Sequence, residues 1–232
     1  DSSTSFRLEQ LTAANGIEHA DAHDALSDVI ATIEFAKLIR QKQPKLYDYV
    51  YKLRNKRAVQ SEIDMVTRKP VLHVSMMYPA TQGALALVMP LCPHPTNNNG
   101  IIVYDLREDP ESWARLSVEE IRRRIFTARD SMEEGVERIG LKTIHTNKCP
   151  VVASPAVLSA QSAKQFGVDL DKCKSHWNYL QANKDIVSKV AEVFSEEPWQ
   201  KETDPDYMIY SGGFFSDSDK NLMSMIRSSS AQ

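Results

Sequence analysis

The stretch "GALALVMPL" (83–91), followed by "CPHPTNNNGIIVYDL" (92–106), decides the fold class. Two short apolar or β-branched runs are punctuated by Pro, Asn and Gly, which is the pattern of strands joined by turns. The same pattern recurs in "PVLHVSMMY" (70–78) and "LKTIHTNKCPVVAS" (141–154). Four such segments predict a small antiparallel sheet or barrel. Between the third and fourth, "SVEEIRRRIFTAR" (117–129) predicts an inserted helix, with Ser117 and Glu120 in capping-box positions. The expected core holds Val74, Leu85, Leu87, Ile102, Val103, Ile144 and Val152.

Helical signals lie on both sides. A short helix is expected over 6–19, ending at Asn15-Gly16. Asp24 is placed to cap a second helix, in which Leu26, Val29, Ile30, Ile33 and Ala36 recur at helical spacing to about Gln41. Pro44 closes that segment, and a basic helix is expected over roughly Leu46 to Ala58. After the sheet, helices are expected over 159–166, about 171–182 and 184–195. Residues 198–206 read as a linker, and "YSGGFFSDSDKNLMSMIRSSSAQ" (210–232) opens a further element. The chain starts without Met and enters a helix almost at once, as expected of a piece cut from a longer protein. The fold class is α+β.

Bulk composition narrows the field. Hydrophobic content of 42% and charged content of 25% are ordinary globular values. No run of 18 apolar residues and no basic-then-apolar leader occurs, so neither a helical membrane span nor a signal peptide is expected. Cys92, Cys149 and Cys173 are far apart and form no C-x-x-C, which argues against a zinc site or a disulfide framework and for the cytoplasm. The net charge is −3, yet residues 37–57 carry eight lysines and arginines against Asp48 alone. A basic island on an acidic body suits a local polyanion contact; a solvated helix face has the same composition.

Chemistry concentrates in "HADAHDALSDVIAT" (19–32). His23 sits in the turn entering the second helix, and Asp28 lies in its first turn. A neutral histidine can take a proton from water near physiological pH, while a fixed carboxylate can hold a divalent metal. On spacing alone, a surface histidine and a first-turn aspartate favouring the helix dipole explain the pair better.

The surrounding residues resemble a known family. "FRLEQLTAANGIEHADAHDALSDVIATIEFAKLIRQKQPKLYDYVYKLRNK" (6–56) resembles the closing part of the nuclease domain of bacterial exonuclease I, a DEDDh-type, ribonuclease H-like 3′→5′ exonuclease of single-stranded DNA. "KPVLHVSMMY", "LCPHPTNNNGIIVYDL", "IHTNKCPVVA" and "GGFFSDSDKNLM" are similar to that family's SH3-like domain and the start of its C-terminal helical domain. The implied layout is the end of the exonuclease domain over 1–43, an SH3-like domain with inserted and appended helices over 44–198, and a linker with the start of a helical domain over 199–232.

The resemblance implies roles. His23 matches the catalytic histidine and Asp28 the last metal-binding aspartate of a two-metal magnesium site. The other acidic ligands in such enzymes include an Asp-x-Glu on a first strand, which this sequence does not show. The chain alone is therefore expected to bind DNA or a partner without hydrolysing, whereas the parent enzyme would release mononucleotides in DNA repair and recombination. Lys56, Asn99, Phe126, Lys142, Asn147, Tyr210 and Phe214 fall along the family's single-stranded DNA path. Lysines would neutralise phosphate, asparagines would hydrogen-bond phosphate or sugar, and aromatic faces would stack on bases. Asn99 before Gly100 is also an ordinary turn residue, Asn147-Lys148 could close a hairpin, and Phe126 could belong to a core. Tyr49 and Lys69 match positions that dock the acidic, Phe-ended tail of single-stranded DNA-binding protein. Ser154, Ser159 and Gln181 stand where the family uses arginine or glutamine, so the docking site is weakened, moved, or built from other cations such as Arg57 or Arg68. The chain is expected to be a monomer. The alternatives are a non-catalytic module for single-stranded DNA or peptide, and a relative acting on short RNA, against which the SH3-like region speaks. His23 and Asp28 are expected to be solvent-accessible.

Overall fold

The structure, a computed structural model, describes residues 5–19, 24–195, 204, 207–208 and 214–229. The chain divides into two compact units, residues 1–196 and 197–232.

The larger unit opens with α1 (Leu8–Ala14). It ends at Asn15, and Gly16 takes the left-handed φ of 67° that a residue with a Cβ disfavours. Asp24 caps α2 (Ala25–Lys42) by accepting from the Ser27 backbone N–H. The basic segment is two helices, not the one expected: α3 (Pro44–Lys52) and α4 (Lys56–Glu62). Pro44 occupies the first turn of α3, where its missing N–H costs nothing, so it opens a helix as well as closing one. Asn55 breaks the run by accepting from the Arg57 N–H as the cap of α4.

Five strands follow: β1 (Val71–Val74), β2 (Leu85–Pro93), β3 (Gly100–Asp105), β4 (Leu141–His145) and β5 (Val151–Ala153). They form one antiparallel sheet in the order β4-β3-β2-β1-β5. β2 is buried throughout except at Pro93, because both faces of the sheet are covered, and this explains its unbroken apolar run. Leu85, Leu87, Met89 and Leu91 face one core with Ile102 and Tyr104; Ala86 and Val88 face another with Ile101, Val103 and Ile144. The segment 141–154 holds two strands on opposite edges of the sheet, so Asn147-Lys148 does not close a hairpin between them. Val74 departs from the expected core, being 37% exposed at the end of β1.

The first core is closed by α5 (Glu111–Ala114), α6 (Val118–Phe126), α7 (Ala160–Gln165), α8 (Leu170–Ala182) and α9 (Asp185–Val193), through Trp113, Ile121, Leu180, Ile186 and Val190. The second is closed by Leu53 and by Val59 of α4 with Ile63 beyond it. Ser117 caps α6 through the Glu120 N–H; the Glu120 carboxylate turns to Arg123 and Arg124 instead of completing the box. In the smaller unit, α10 (Asp217–Ser228) starts at a full capping box between Ser216 and Asp219. Among the described residues, no helix is long and apolar enough to cross a membrane.

Candidate nucleic-acid interface

β3 and β4 carry one wall of a cavity of about 1060 Å³. Lys142 on β4 lies across from Val103 and extends over Tyr78, its Nζ 3.8 Å from the ring centroid and donating to the Met77 carbonyl at 2.9 Å. Burial lowers the pKa of this ammonium. Phe126, at the end of α6, lines the same cavity and is 39% exposed, so it is not a core residue. Its ring meets Phe194 edge-on at 5.4 Å, and Phe194 meets His94 in the same way at 5.5 Å.

At the near end of β4 the loops converge. Lys56 Nζ donates to Asn99 Oδ1 at 2.6 Å and to the Asn98 carbonyl at 3.3 Å. The Asn99 carbonyl in turn accepts from the backbone N–H and the hydroxyl of Thr146, at 2.8 and 3.0 Å. Asn147 follows Thr146 and is exposed. Of the seven residues expected on a DNA path, Phe126 and Lys142 line this cavity, Lys56 and Asn99 are bonded to each other in the loops beyond the end of β4, and Asn147 is exposed next to Thr146. Phe214 is fully exposed in the smaller unit. Tyr210 and His23 lie outside the described residues.

Residues that sequence reading passed over complete the wall. Arg107 grips Asp105 with Nη2 to Oδ2 at 2.5 Å and Nε to Oδ1 at 2.9 Å, and donates to Gln82 at 2.6 Å. Glu108 lies beside them; burial of its carboxyl and the neighbouring Asp105 push its pKa up to about 7. Arg138 and His145 also line the cavity. Asn97 donates to His145 Nδ1 at 3.4 Å, and burial and Lys148 hold the His145 pKa below its ordinary value. Their signal was available: His145 stands between Lys142 and Asn147 in one short run.

Asp28 is paired with His19, Nε2 to Oδ1 at 2.7 Å, with the histidine side chain 4% and the aspartate side chain 43% exposed. His19 was overlooked because it precedes the helix by more than a turn. Among the described residues, no group of three or more His, Cys, Asp or Glu could hold a metal ion. Asp28 by itself does not make a two-metal site.

Tyr49 and Lys69 flank the other side of the sheet. The Tyr49 hydroxyl donates to the Val152 carbonyl at 2.8 Å, and burial with Glu62 nearby pushes its pKa up to about 12. Lys69 is exposed just before β1. Ser154 and Ser159 cap helical turns, and Gln181 bridges Arg68 and the Thr67 carbonyl. All three side chains have structural partners, and Arg68 reaches this surface already bonded.

Residues 54–196 match the family described as Exonuclease I SH3-like domain. Exodeoxyribonuclease I of Haemophilus influenzae is 42% identical over 100% of this chain and 49% of its own length. Escherichia coli exonuclease I, solved in complex with a dA16 oligonucleotide, superposes with a TM-score of 0.85 at 39% identity, covering 97% of this chain and 48% of that one. Its zinc-bound form with single-stranded DNA gives a TM-score of 0.85 at 38% identity, with the same coverage. A structure of SSB/exonuclease I in complex with the inhibitor CFAM superposes at 0.80 and 37% identity, covering 97% and 46%. The chain spans about half the length of the relatives it matches. An α+β chain with an SH3-like curled sheet, matched to that domain over most of its length, belongs to the exonuclease I family.

Proposed function

We propose that this chain is the part of a 3′→5′ single-strand-specific DNA exonuclease that guides the strand, and that the cavity between β4 and α6 is a segment of the strand's path. The observation that carries this reading is that Lys142, Arg138, His145 and the exposed Phe126 ring line one cavity, while the Lys56–Asn99 pair is bonded through Thr146 to the end of the strand that carries Lys142 and His145. Cations neutralise phosphates with a salt-dependent gain, and an exposed ring accepts a base face. Tyr210 and Phe214, in the smaller unit, would stack on bases.

The same reading assigns residues 1–43 to the end of the nuclease domain, 44–198 to the SH3-like domain, and 199–232 to a linker and the start of a helical domain. His23 would be the catalytic base and Asp28 a ligand of a magnesium site. The remaining ligands would lie in the half of the relatives' length that this chain does not span. Tyr49 and Lys69 would dock the tail of single-stranded DNA-binding protein, in a cytoplasmic, monomeric protein. The chain alone would bind without cutting.

Fluorescence-anisotropy titration of a labelled single-stranded oligonucleotide, at two salt concentrations, tests the path. Affinity should fall with salt and fall again in Lys56→Ala and Lys142→Ala. Salt-insensitive binding, or two variants that bind like the parent chain, would refute it.

A further inference from the structure

The basic island holds a feature that composition does not reveal. Tyr47 and Tyr51, one turn apart on α3, stack with ring centroids 6.0 Å apart and planes 12° from parallel. Arg40 at the end of α2 lies over Tyr47, with Cζ 5.7 Å from the centroid. Arg54, in the turn after α3, covers Tyr51 at 3.7 Å and donates to its carbonyl at 3.0 Å. The result is a ladder of cation, ring, ring and cation. Arg40, Tyr51 and Arg54 are exposed.

We propose that Arg40, Tyr47, Tyr51 and Arg54 form a further binding surface for single-stranded nucleic acid, continuing the path from Lys56 onto α3 and α2. The inference rests on the reading of the cavity as part of that path.

Three physical points support it. Each guanidinium sits over a tyrosine ring, which leaves in-plane N–H donors for an anion, apart from the one Arg54 gives to the Tyr51 carbonyl, and a face for a base. Neither guanidinium forms an ion pair among the described residues, so neither charge is neutralised. Arg54 is two positions from Lys56, which puts their Cα atoms at most about 7 Å apart. A strand leaving the Lys56–Asn99 pair therefore meets Arg54 next.

A nucleic acid fits this surface better than an acidic peptide. An acidic peptide would want an apolar pocket beside the charge, whereas the ladder offers flat faces in line. The surface is also separate from Tyr49, whose hydroxyl is committed to Val152 on the sheet side of α3.

The test is anisotropy with oligo-dT of 6 and 20 nucleotides, and with an acidic Phe-ended peptide, on the parent chain, Arg40→Ala/Arg54→Ala and Lys142→Ala. The double variant should bind the 20-mer at least fivefold more weakly and the 6-mer unchanged, with a salt slope shallower by about 1.4 from two lost phosphate contacts. Lys142→Ala should weaken both lengths. Tyr51→Leu, which removes the ring under Arg54, should reproduce part of the 20-mer loss while keeping both charges. A double variant that binds the 20-mer normally, beside a weakened Lys142→Ala, would overturn the ladder and leave the cavity reading intact. Loss confined to the peptide would overturn it too. Loss of the 6-mer in the double variant with none in Lys142→Ala would overturn the continuity and the cavity reading together.

Discussion

Lys56 and Asn99 are 43 positions apart in the chain and joined by a 2.6 Å hydrogen bond from Nζ to Oδ1. The bond fixes the cap end of α4 against the turn before β3. It also holds an ammonium and an amide together at one point of the proposed DNA path. Because they act as a pair, their removals should not add. Lys56→Ala and Asn99→Ala are each expected to weaken oligonucleotide binding. The double variant should fall short of the sum by about 0.5–1 kcal/mol in a double-mutant cycle.

Binding should also respond to pH. Burial holds His94 and His145 below the ordinary histidine range, and His145 further opposes a charge on His94. A bound phosphate would favour protonation of both. Glu108, with a pKa near 7, loses its negative charge in the same interval. Affinity is therefore expected to rise as pH falls from 8 to 6, by about threefold or more. His145→Gln and Glu108→Gln should each flatten that rise when anisotropy is measured at pH 6, 7 and 8.

Acid stability should depend on His73. It is buried on β1, bonded through Nδ1 to the Tyr78 hydroxyl at 3.0 Å, and burial with Lys142 nearby pushes its pKa down to about 4. Above about pH 6.5 the histidine is neutral in both folded and unfolded chains. Between 6.5 and 4 only the unfolded chain takes the proton, so stability falls by up to about 3 kcal/mol. Urea titrations across that range should show the slope, and His73→Phe should remove most of it.

Gly140 lies under the Glu108 carboxylate. A Cβ there would come within 2.6 Å of Glu108 Oε2 and 2.8 Å of its Cδ. Gly140→Ala should cost less than about 1 kcal/mol, because the contacts are to the end of a flexible side chain that can swing aside. Adding Glu108→Ala should recover most of the loss in thermal melts.

The strand segments were legible because β2 and β3 are apolar between strong turn residues, and the caps at Asp24 and Ser117 were legible because their chemistry is local. The break at Asn55 was not, since a basic helix of 13 residues has the same periodicity as two short ones. The partition of 141–154 between two sheet edges depends on contacts with β1 and β3 that no local pattern encodes. In the candidate interface, Lys142 and Phe126 were found through family resemblance. Arg107 escaped because its role arises from Asp105 and Gln82, brought together only by the fold. His19 escaped for the same reason, as its partner lies nine positions on.

β4 and β5 run in the same direction along opposite edges of the sheet, yet only residues 146–150 separate them. Three strands stand between those edges, and strands lie about 4.8 Å apart, so a flat sheet would hold them about 19 Å from each other. Five residues that include a turn cannot comfortably cover that distance, and the sheet must curl until its edges approach. The loop carrying Thr146 and Asn147 is thus the strap that draws together the two edges of a half-barrel. Loosening it to admit a wider ligand would spread two strand edges that are already unpaired, and such edges are templates for aggregation. Variation in this loop is therefore constrained by solubility as much as by what it touches.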